Sequence, residues 1–233
     1  MKILYIMLFI LIFVIIYNFL TRKYVNPYKL IMIFGKKGSG KTTNLTKLAI
    51  KHHRKGWTVY CTEHIPFTYY VKPELIGQVE FKENSLLLID EVGMIYDNRD
   101  FKNFQNYVRD WFKLQRHRKV KVIMFSQSFD VDIKLRNLTD ELYLVKNVFR
   151  VFSYAKRINR RIIITKATAE SPSTIADELT FDSIIWFWCG SRMLTFIPKY
   201  AKYFDTYSAE KLRDYNFKYN EYKKTNKKRR VKK

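Results

Sequence analysis

A glycine-rich segment that follows an apolar run constrains this chain more than any other feature of its sequence. The apolar run is Leu30 to Phe34, and the next residues, Gly35 to Thr42, have the pattern Gly-x-x-x-x-Gly-Lys-Thr. Glycines let backbone N–H groups curl around an anion without clashes from Cβ, and a helix that begins there adds the positive end of its dipole. Helical spacing of apolar residues follows, so the order strand, loop, helix predicts a phosphate-binding P-loop.

Each part of this loop has an expected task. The ammonium group of Lys41 should reach the β- and γ-phosphates of ATP, and the hydroxyl of Thr42 should ligate Mg²⁺. We therefore expect ATP and Mg²⁺ as the bound cofactors. The nucleotide contacts are expected from Gly35, Lys36, Lys37, Gly38, Ser39, Gly40, Lys41, Thr42 and Thr43.

The other half of a nucleotide site is predicted downstream. Ser85 to Ile89 is a second apolar run, as expected for a buried strand, and it ends in Asp90 and Glu91. Asp90 at the strand tip should hold Mg²⁺ through its water shell, as a second metal-site residue beside Thr42. Glu91 is the natural general base to orient the attacking water.

A third apolar run, Val120 to Phe125, leads to Gln127. Gln127 could be an ordinary loop residue, but we favour a γ-phosphate sensor because such a strand tip faces the ligand crevice. With a further strand at Thr58 to Thr62, strands and helices alternate along the chain. The pattern predicts an α/β fold of the P-loop NTPase type, with a mostly parallel central sheet flanked by helices.

Two arginines are candidates for an arginine finger, a residue that completes the site of a neighbouring subunit. Arg116 lies in a basic cluster that follows a predicted helix over Phe101 to Gln115, and Arg136 lies beyond the third strand. The sequence does not choose between them. The cluster around Arg116 could equally be a solvated turn or a loop that contacts DNA.

Further along, Glu141 to Phe152 and Arg161 to Thr168 are predicted to form a hairpin. The basic run Lys156 to Arg160 is then its turn, which could contact a phosphate backbone or be simply solvated. Ser208 is predicted to cap a last helix, and the Lys- and Arg-rich tail from Lys223 should be disordered and bind nucleic acid or anionic lipid.

The first residues predict a transmembrane helix. Ile3 to Leu20 is almost unbroken hydrocarbon with Tyr5 and Tyr17 near its ends, and at about 1.5 Å per residue it nearly spans a bilayer core of about 30 Å. A cleaved signal peptide is less favoured because the apolar stretch is long and no small-x-small cleavage site follows. The P-loop follows after a short linker, so we expect the nucleotide site to lie close to the bilayer.

Charge predicts the orientation of this segment. Only Lys2 and the α-amine precede it, whereas the residues after it carry several cations. The positive-inside rule then places the amino terminus outside and the ATPase domain in the cytoplasm of a single-pass membrane protein. The cations that follow are Arg22, Lys23, Lys29, Lys36 and Lys37.

Overall composition adds partners and a compartment. The net charge of +23 favours a polyanion, either nucleic acid or an anionic membrane, although general basicity of the chain would also produce it. Cys61 and Cys189 show neither a disulfide framework nor metal-site spacing, which suits a reducing compartment. We expect three parts: a transmembrane anchor at 1–22, an ATPase domain at 23–207, and a helix with a basic tail at 208–233.

These motifs, in this order, resemble the zonula occludens toxin-like (Zot) ATPases, which include filamentous-phage assembly proteins within the HerA/FtsK superfamily. Outside the nucleotide motifs, the resemblance lies in Trp111–Arg118, Asp132–Leu138 and Phe204–Tyr207, and overall it covers Leu30 to Tyr207. The filamentous-phage proteins typically place the membrane span after the ATPase, whereas here it comes first. The resemblance implies a P-loop ATPase that works as a homo-oligomeric ring.

Three functions fit these features. The first is a membrane-anchored ATPase that drives filamentous-phage virion assembly and export of single-stranded DNA, with that DNA or phage coat and assembly proteins as partners. The second is a DNA-translocating ATPase of conjugation or plasmid transfer, which nearby genes would distinguish. The third is a membrane-bound scaffold that binds ATP with little turnover, and Glu91 argues against it because a switch needs no water-orienting carboxylate.

Overall fold

The computed structural model of the chain describes residues 2–96, 106–127, 133–165, 174–183 and 190–204. The helices are α1 (Lys2–Thr21), α2 (Lys41–His53), α3 (Val92–Ile95), α4 (Asn106–Leu114), α5 (Ile133–Asn137) and α6 (Ile197–Ala201). The strands are β1 (Leu30–Phe34), β2 (Thr58–Cys61), β3 (Tyr69–Tyr70), β4 (Ser85–Ile89), β5 (Val120–Ser126), β6 (Glu141–Val148), β7 (Phe152–Thr165), β8 (Thr174–Phe181) and β9 (Arg192–Phe196).

These strands form one nine-stranded sheet in the order β3-β2-β4-β5-β1-β6-β7-β8, with β9 also paired to β7. Among β1 to β6 all pairings are parallel, whereas β7, β8 and β9 are added in antiparallel orientation. The predicted mostly parallel α/β sheet is confirmed. β5 lies between β4 and β1, so the strands that end in Asp90, Gln127 and the P-loop are neighbours.

The central strands are apolar along their whole length because both faces of the sheet are covered. In β4 every residue is buried, and alternate side chains enter two different cores. Leu86 and Leu88 pack with Leu45 and Ala49 of α2 on one face. On the other face of the sheet, Leu87 packs in a core that includes the buried side chains of α4. The sheet therefore holds α2, and with it the P-loop, against a rigid support.

The predicted hairpin is correct in its two strands and wrong in its turn. β6 ends at Val148 and β7 begins at Phe152, with the tight turn at Phe149 and Arg150, which take positive φ values of 51° and 61°. The basic run Lys156 to Arg160 lies inside β7 instead. Strand β7 continues to Thr165, and residues 166–168 of the predicted second strand lie outside the described residues.

The basic run is part of a strand because its side chains have separate environments on the two faces. Ala155 is fully buried. Arg157 forms an ion pair of 2.5 Å with the buried carboxylate of Asp182 and a longer one of 3.5 Å with Glu141. A guanidinium with such partners does not need solvent, so a charged run can continue a sheet.

Other boundaries of the sequence-based prediction shift or cannot be compared. The helix predicted from Phe101 is described from Asn106 to Leu114, and residues 97–105 lie outside the described part. The same holds for residues 205–233, which include the predicted last helix, the basic tail and the end of Phe204–Tyr207.

Helix α1 is long and apolar enough to span a membrane. Its stretch Leu4–Thr21 has 18 residues and a mean hydropathy of 2.5, and none of it is buried against the rest of the chain. Its large apolar side chains from Leu4 to Leu20 are all exposed. A buried core helix is thereby excluded for this segment.

The parallel strands give the sheet two distinct ends. The amino end is where they begin, at Leu30, Thr58, Ser85, Val120 and Glu141. The carboxyl end is where they finish, at Phe34, Cys61, Ile89, Ser126 and Val148. The chain arrives from α1 at the amino end, and the P-loop follows the carboxyl end of β1. A strand of five residues at about 3.3 Å each separates these two ends of the sheet.

Near the amino end, His52 of α2 is a buried imidazole. Its Nδ1 lies 2.9 Å from the carbonyl of Leu48, and its ring meets Trp57 edge-on. Burial lowers the pKa of His52 to about 4, although the bond to Leu48 opposes the shift. Between this pKa and the ordinary value of 6.5, the folded chain therefore binds fewer protons than the unfolded chain. The stability of the fold rises with pH over this range.

We predict that His52 lowers the free energy of unfolding by up to about 3 kcal/mol as the pH falls from about 6.5 to 4. His52→Gln should remove this part of the pH dependence. Chemical unfolding of the full chain in detergent at both pH values measures it, with the exposed neighbour His53→Gln as the matched control. An equal pH dependence in all three proteins would contradict the assignment.

Candidate functional site

The P-loop begins where β1 meets its neighbours, and contacts on both sides fix its path. The N–H of Gly35 donates to the carbonyl of Ser126 at the end of β5, over 3.1 Å. A Cβ at Gly35 would lie 2.5 Å from the carbonyl oxygen of Val145 in β6. Only glycine fits this close approach, so the sheet itself determines where the loop starts.

The loop ends at Gly40, which packs on a buried polar cluster. Its φ is 86°, and a Cβ there would lie 2.7 Å from Cβ of Ser153 in β7. The amide of Asn44 donates to Oγ of Ser153 over 2.9 Å, and the hydroxyl of Thr195 in β9 donates to Oδ1 of Asn44. Sequence reasoning missed this support, which ties the first turn of α2 to the antiparallel strands.

A pair of glycines tests that support. Gly38→Ala should cost about 1 kcal/mol, because φ is 74° but no atom lies within 4 Å of the added Cβ. Gly40→Ala should cost about 1–3 kcal/mol more, because the strand at Ser153 must also move. The free energies of unfolding of the two variants measure the difference. Equal losses would show that Ser153 does not confine the loop.

Lys41 folds back onto the loop that precedes it. Its Nζ donates to the carbonyl of Gly35 over 2.8 Å and approaches that of Lys36 at 3.4 Å. Burial lowers the pKa of Lys41, while the nearby charges of Glu91 and Asp90 oppose the shift. The positive charge of Lys41 is thus only partly neutralised by its surroundings. A phosphate placed over the loop would give the ammonium group a strong partner.

Thr42 and Asp90, the two residues predicted to ligate a metal, place two oxygen atoms side by side. Oγ1 of Thr42 lies 3.5 Å from Oδ2 of Asp90. The N–H of Asp90 donates to the hydroxyl of Thr62 over 2.9 Å, which holds the strand tip in place. Burial, and then the charge of Glu91, raises the pKa of Asp90 to about 6.

These groups fit Mg²⁺ and a phosphate chain. A hydroxyl and a carboxylate are the oxygen ligands that Mg²⁺ prefers, and a divalent ion would supply the positive charge that the partly buried Asp90 needs. Oγ of Ser39 is buried and has no hydrogen-bond partner among the described residues. Such an orphaned group inside the loop suits an anionic oxygen.

Glu91 and Gln127 meet across two neighbouring strand ends. Ile89 of β4 is paired with Met124 of β5, so the residues beyond them share the carboxyl end of the sheet. Nε2 of Gln127 donates to Oε1 of Glu91 over 2.8 Å. Glu91 has a φ of 48°, uncommon for a non-glycine residue and typical of strained functional positions. The structure therefore brings Lys41, Asp90, Glu91 and Gln127 together.

A family model described as "Zonular occludens toxin (Zot)" matches residues 67–171 of the chain. The matched segment contains Asp90, Glu91, Gln127 and both candidate arginines, and it begins beyond the P-loop. Over these residues the chain is similar to the Zot family. No curated protein matches it significantly.

Solved structures from several sources are similar to this chain, and three of them illustrate the likeness. The N-terminal domain of zonular occludens toxin from Neisseria meningitidis has 17% identity and a TM-score of 0.45, covering 69% of this chain and 97% of that one. The genome packaging NTPase B204 from Sulfolobus turreted icosahedral virus 2, in complex with ATP-gammaS, has 13% identity and a TM-score of 0.43. That match covers 52% of this chain and 75% of the B204 chain. The flagellar accessory protein FlaH from Methanocaldococcus jannaschii has 13% identity and a TM-score of 0.41. That match covers 65% of this chain and 90% of the FlaH chain.

The remaining predicted site residues divide into two groups. Lys36 and Lys37 are exposed on the loop, and Thr43 is buried beneath it. Arg116 and Arg136 lie outside this site. Arg116 is exposed in the turn before β5, and Arg136 precedes β6, so both are near the amino end of the sheet. An arginine there cannot complete the site of its own chain.

Proposed function

We propose that this chain is a membrane-anchored, Mg²⁺-dependent ATPase that drives filamentous-phage-type virion assembly and the export of single-stranded DNA. The observation that carries the proposal is the meeting of Lys41, Thr42, Asp90, Glu91 and Gln127 at one end of the sheet. The match to Zot supports the link to phage assembly. The apolar helix α1 supports the membrane anchor, and the net charge of +23 supports an interaction with DNA.

Each side chain has a separate task in this proposal. Bound Mg²⁺ would neutralise charge that develops on the phosphates. Lys41 turns from the carbonyl of Gly35 to the phosphates, and the hydroxyl of Ser39 gains the acceptor it lacks. Thr42 and Asp90 would hold the ion, and Glu91 accepts the proton of the attacking water.

Gln127 is placed to act on Glu91. Its amide donates to the carboxylate over 2.8 Å, which holds the general base away from a water molecule. A γ-phosphate oxygen is a competing acceptor at the same strand tips. When the amide turns to it, Glu91 is free to orient water, and hydrolysis is coupled to the presence of ATP.

Membrane attachment belongs to the same proposal. α1 spans the bilayer once, with the amino terminus outside and the ATPase domain in the cytoplasm, as the excess of cations after α1 suggests. The chain acts as a homo-oligomeric ring in which Arg116 or Arg136 reaches the site of a neighbour. Their position at the amino end of the sheet is compatible with a role in trans.

The stimulation of ATP hydrolysis by DNA tests the motor against the scaffold. We expect the purified full chain in detergent to hydrolyse Mg·ATP, and single-stranded DNA to increase the rate. The increase should weaken with added salt because phosphate contacts release counterions. Saturable ATP binding with no hydrolysis, with or without DNA, would support the scaffold and overturn the motor.

A further inference from the structure

The amino end of the sheet carries a cluster of exposed cations that the nucleotide site does not use. α2 runs back from the P-loop and ends there, and the chain reaches β5 through a basic turn at the same end. The exposed cations of these two segments are Lys51, Arg54, Lys55, Arg116, Arg118 and Lys119.

Three of the described carboxylates at this end are already engaged. Glu83 accepts from Lys119 over 2.7 Å, and Glu141 pairs with Lys29 at 2.6 Å. Oδ2 of Asp140 accepts the N–H of Leu30. In the part of the chain that the structure describes, none of the ion pairs involves Arg54, Lys55, Arg116 or Arg118.

The cations are close enough to influence one another. Burial lowers the pKa of Lys121 in β5, and the positive charges of Lys29, Lys51 and Lys55 lower it further, against the opposing effect of Glu141. Such a concentration of positive charge among the described residues suits an extended anionic surface.

Aromatic side chains line the same end. The rings of Tyr28 and Trp57 are 5.8 Å apart, and the ring of Phe67 stacks on His53 at 5.2 Å. Phe67 is 53% exposed, and Tyr24 in the linker is 77% exposed. Aromatic rings interleaved with Lys and Arg are typical of the interface between a membrane and water.

The linker limits how far this surface can lie from the bilayer. Residues 22–29 join α1 to β1, and at about 3.3 Å each they span at most about 30 Å. Residues 22–24 form a 3-10 turn, which shortens that reach. The amino end of the sheet is therefore the part of the folded domain nearest to the end of α1 along the chain.

We propose that the amino end of the sheet docks on anionic lipid headgroups, with Arg54, Lys55 and Arg118 on the phosphates and Trp57 and Phe67 at the interface. This proposal rests on the membrane anchoring proposed above. It directs the carboxyl end of the sheet, with Lys41 and Glu91, away from the bilayer. A nucleic acid is the less favoured polyanion for this surface because the linker holds it beside the membrane.

Amide hydrogen exchange of the full chain in lipid nanodiscs tests the docking. The discs contain phosphatidylcholine alone or with about 30% phosphatidylglycerol. We expect slower exchange at residues 52–57 and 114–119 in the anionic discs, and loss of this protection at about 1 M salt, where the Debye length is about 3 Å. Segments at the carboxyl end should be unchanged.

Matched double variants identify the residues responsible. Arg54→Gln with Lys55→Gln should lower the ratio of docked to undocked protein by about 30-fold. Lys72→Gln with Lys146→Gln removes two exposed cations near the carboxyl end and should leave it unchanged. Glutamine is used because a carboxylate at the C-terminus of α2 would disturb the helix dipole.

Other outcomes separate the two proposals. Amides of α1 should be protected in both kinds of disc, and their free exchange would overturn the membrane anchor itself. Protected α1 amides with equal exchange at residues 52–57 in both discs would overturn the docking alone. Protection of those residues by single-stranded DNA, and not by phosphatidylglycerol, would assign the surface to nucleic acid and overturn the lipid proposal.

Discussion

Replacing Glu91 by glutamine should slow ATP hydrolysis by about 10²–10⁴-fold, the range for loss of a general base, while ATP stays bound. The side chains have the same shape, and glutamine keeps an oxygen that can accept the amide of Gln127. The loop, Lys41 and Asp90 are not altered. The variant should therefore accumulate as the ATP-bound form.

Two measurements on the same preparation check this result. Phosphate release gives the rate, and equilibrium binding of labelled ATP gives the affinity. Glu80→Gln, the same change at an exposed carboxylate, should behave as the wild type. A Glu91→Gln protein that hydrolyses ATP at the normal rate would remove Glu91 from the site and require another base.

The second large effect is expected from Lys41→Ala in cells that produce virions. Loss of one preorganised cationic donor should lower hydrolysis by about 10²–10³-fold, and virion release should fall with it. The amount of protein in the membrane fraction should not change, because α1 is separated from the P-loop by the length of the sheet. Lys72→Ala, at an exposed lysine, is the matched control.

Counting released virions at equal protein levels checks the prediction. Normal release by the Lys41→Ala protein would mean that its ATP chemistry does not drive assembly. Loss of the protein from the membrane fraction would instead point to a defect in insertion or folding.

The site could be predicted where its residues are local in sequence or follow from the rules of parallel sheets. The P-loop is one continuous segment, and its strand and helix are visible beside it. Asp90, Glu91 and Gln127 end neighbouring parallel strands, so their meeting follows from strand order. Their hydrogen bond, and the left-handed φ of Glu91, needed coordinates.

The support beneath the loop could not be predicted in the same way. Asn44 contacts Ser153, 109 residues away, and Thr195, 151 residues away. Single serines, threonines and asparagines carry no periodic signal, and their contacts depend on the antiparallel addition of β7 and β9. Only the structure shows that these strands confine Gly40.

The basic run in β7 shows why the turn prediction failed. Five residues rich in Lys and Arg suggest solvent, but Arg157 has its carboxylate partner at Asp182, 25 residues away. The true turn uses Phe149 and Arg150 at positive φ, where sequence rules expect glycine or asparagine. Tertiary ion pairs and local strain override composition here.

The most direct test of the account is phosphate release by the purified full chain at an ATP concentration shown to saturate binding, with Mg²⁺ and with a chelator. We expect continuous release of phosphate with Mg²⁺, and bound ATP with little release when the ion is removed. Saturated binding without release in both conditions would contradict the account and leave a nucleotide-binding scaffold.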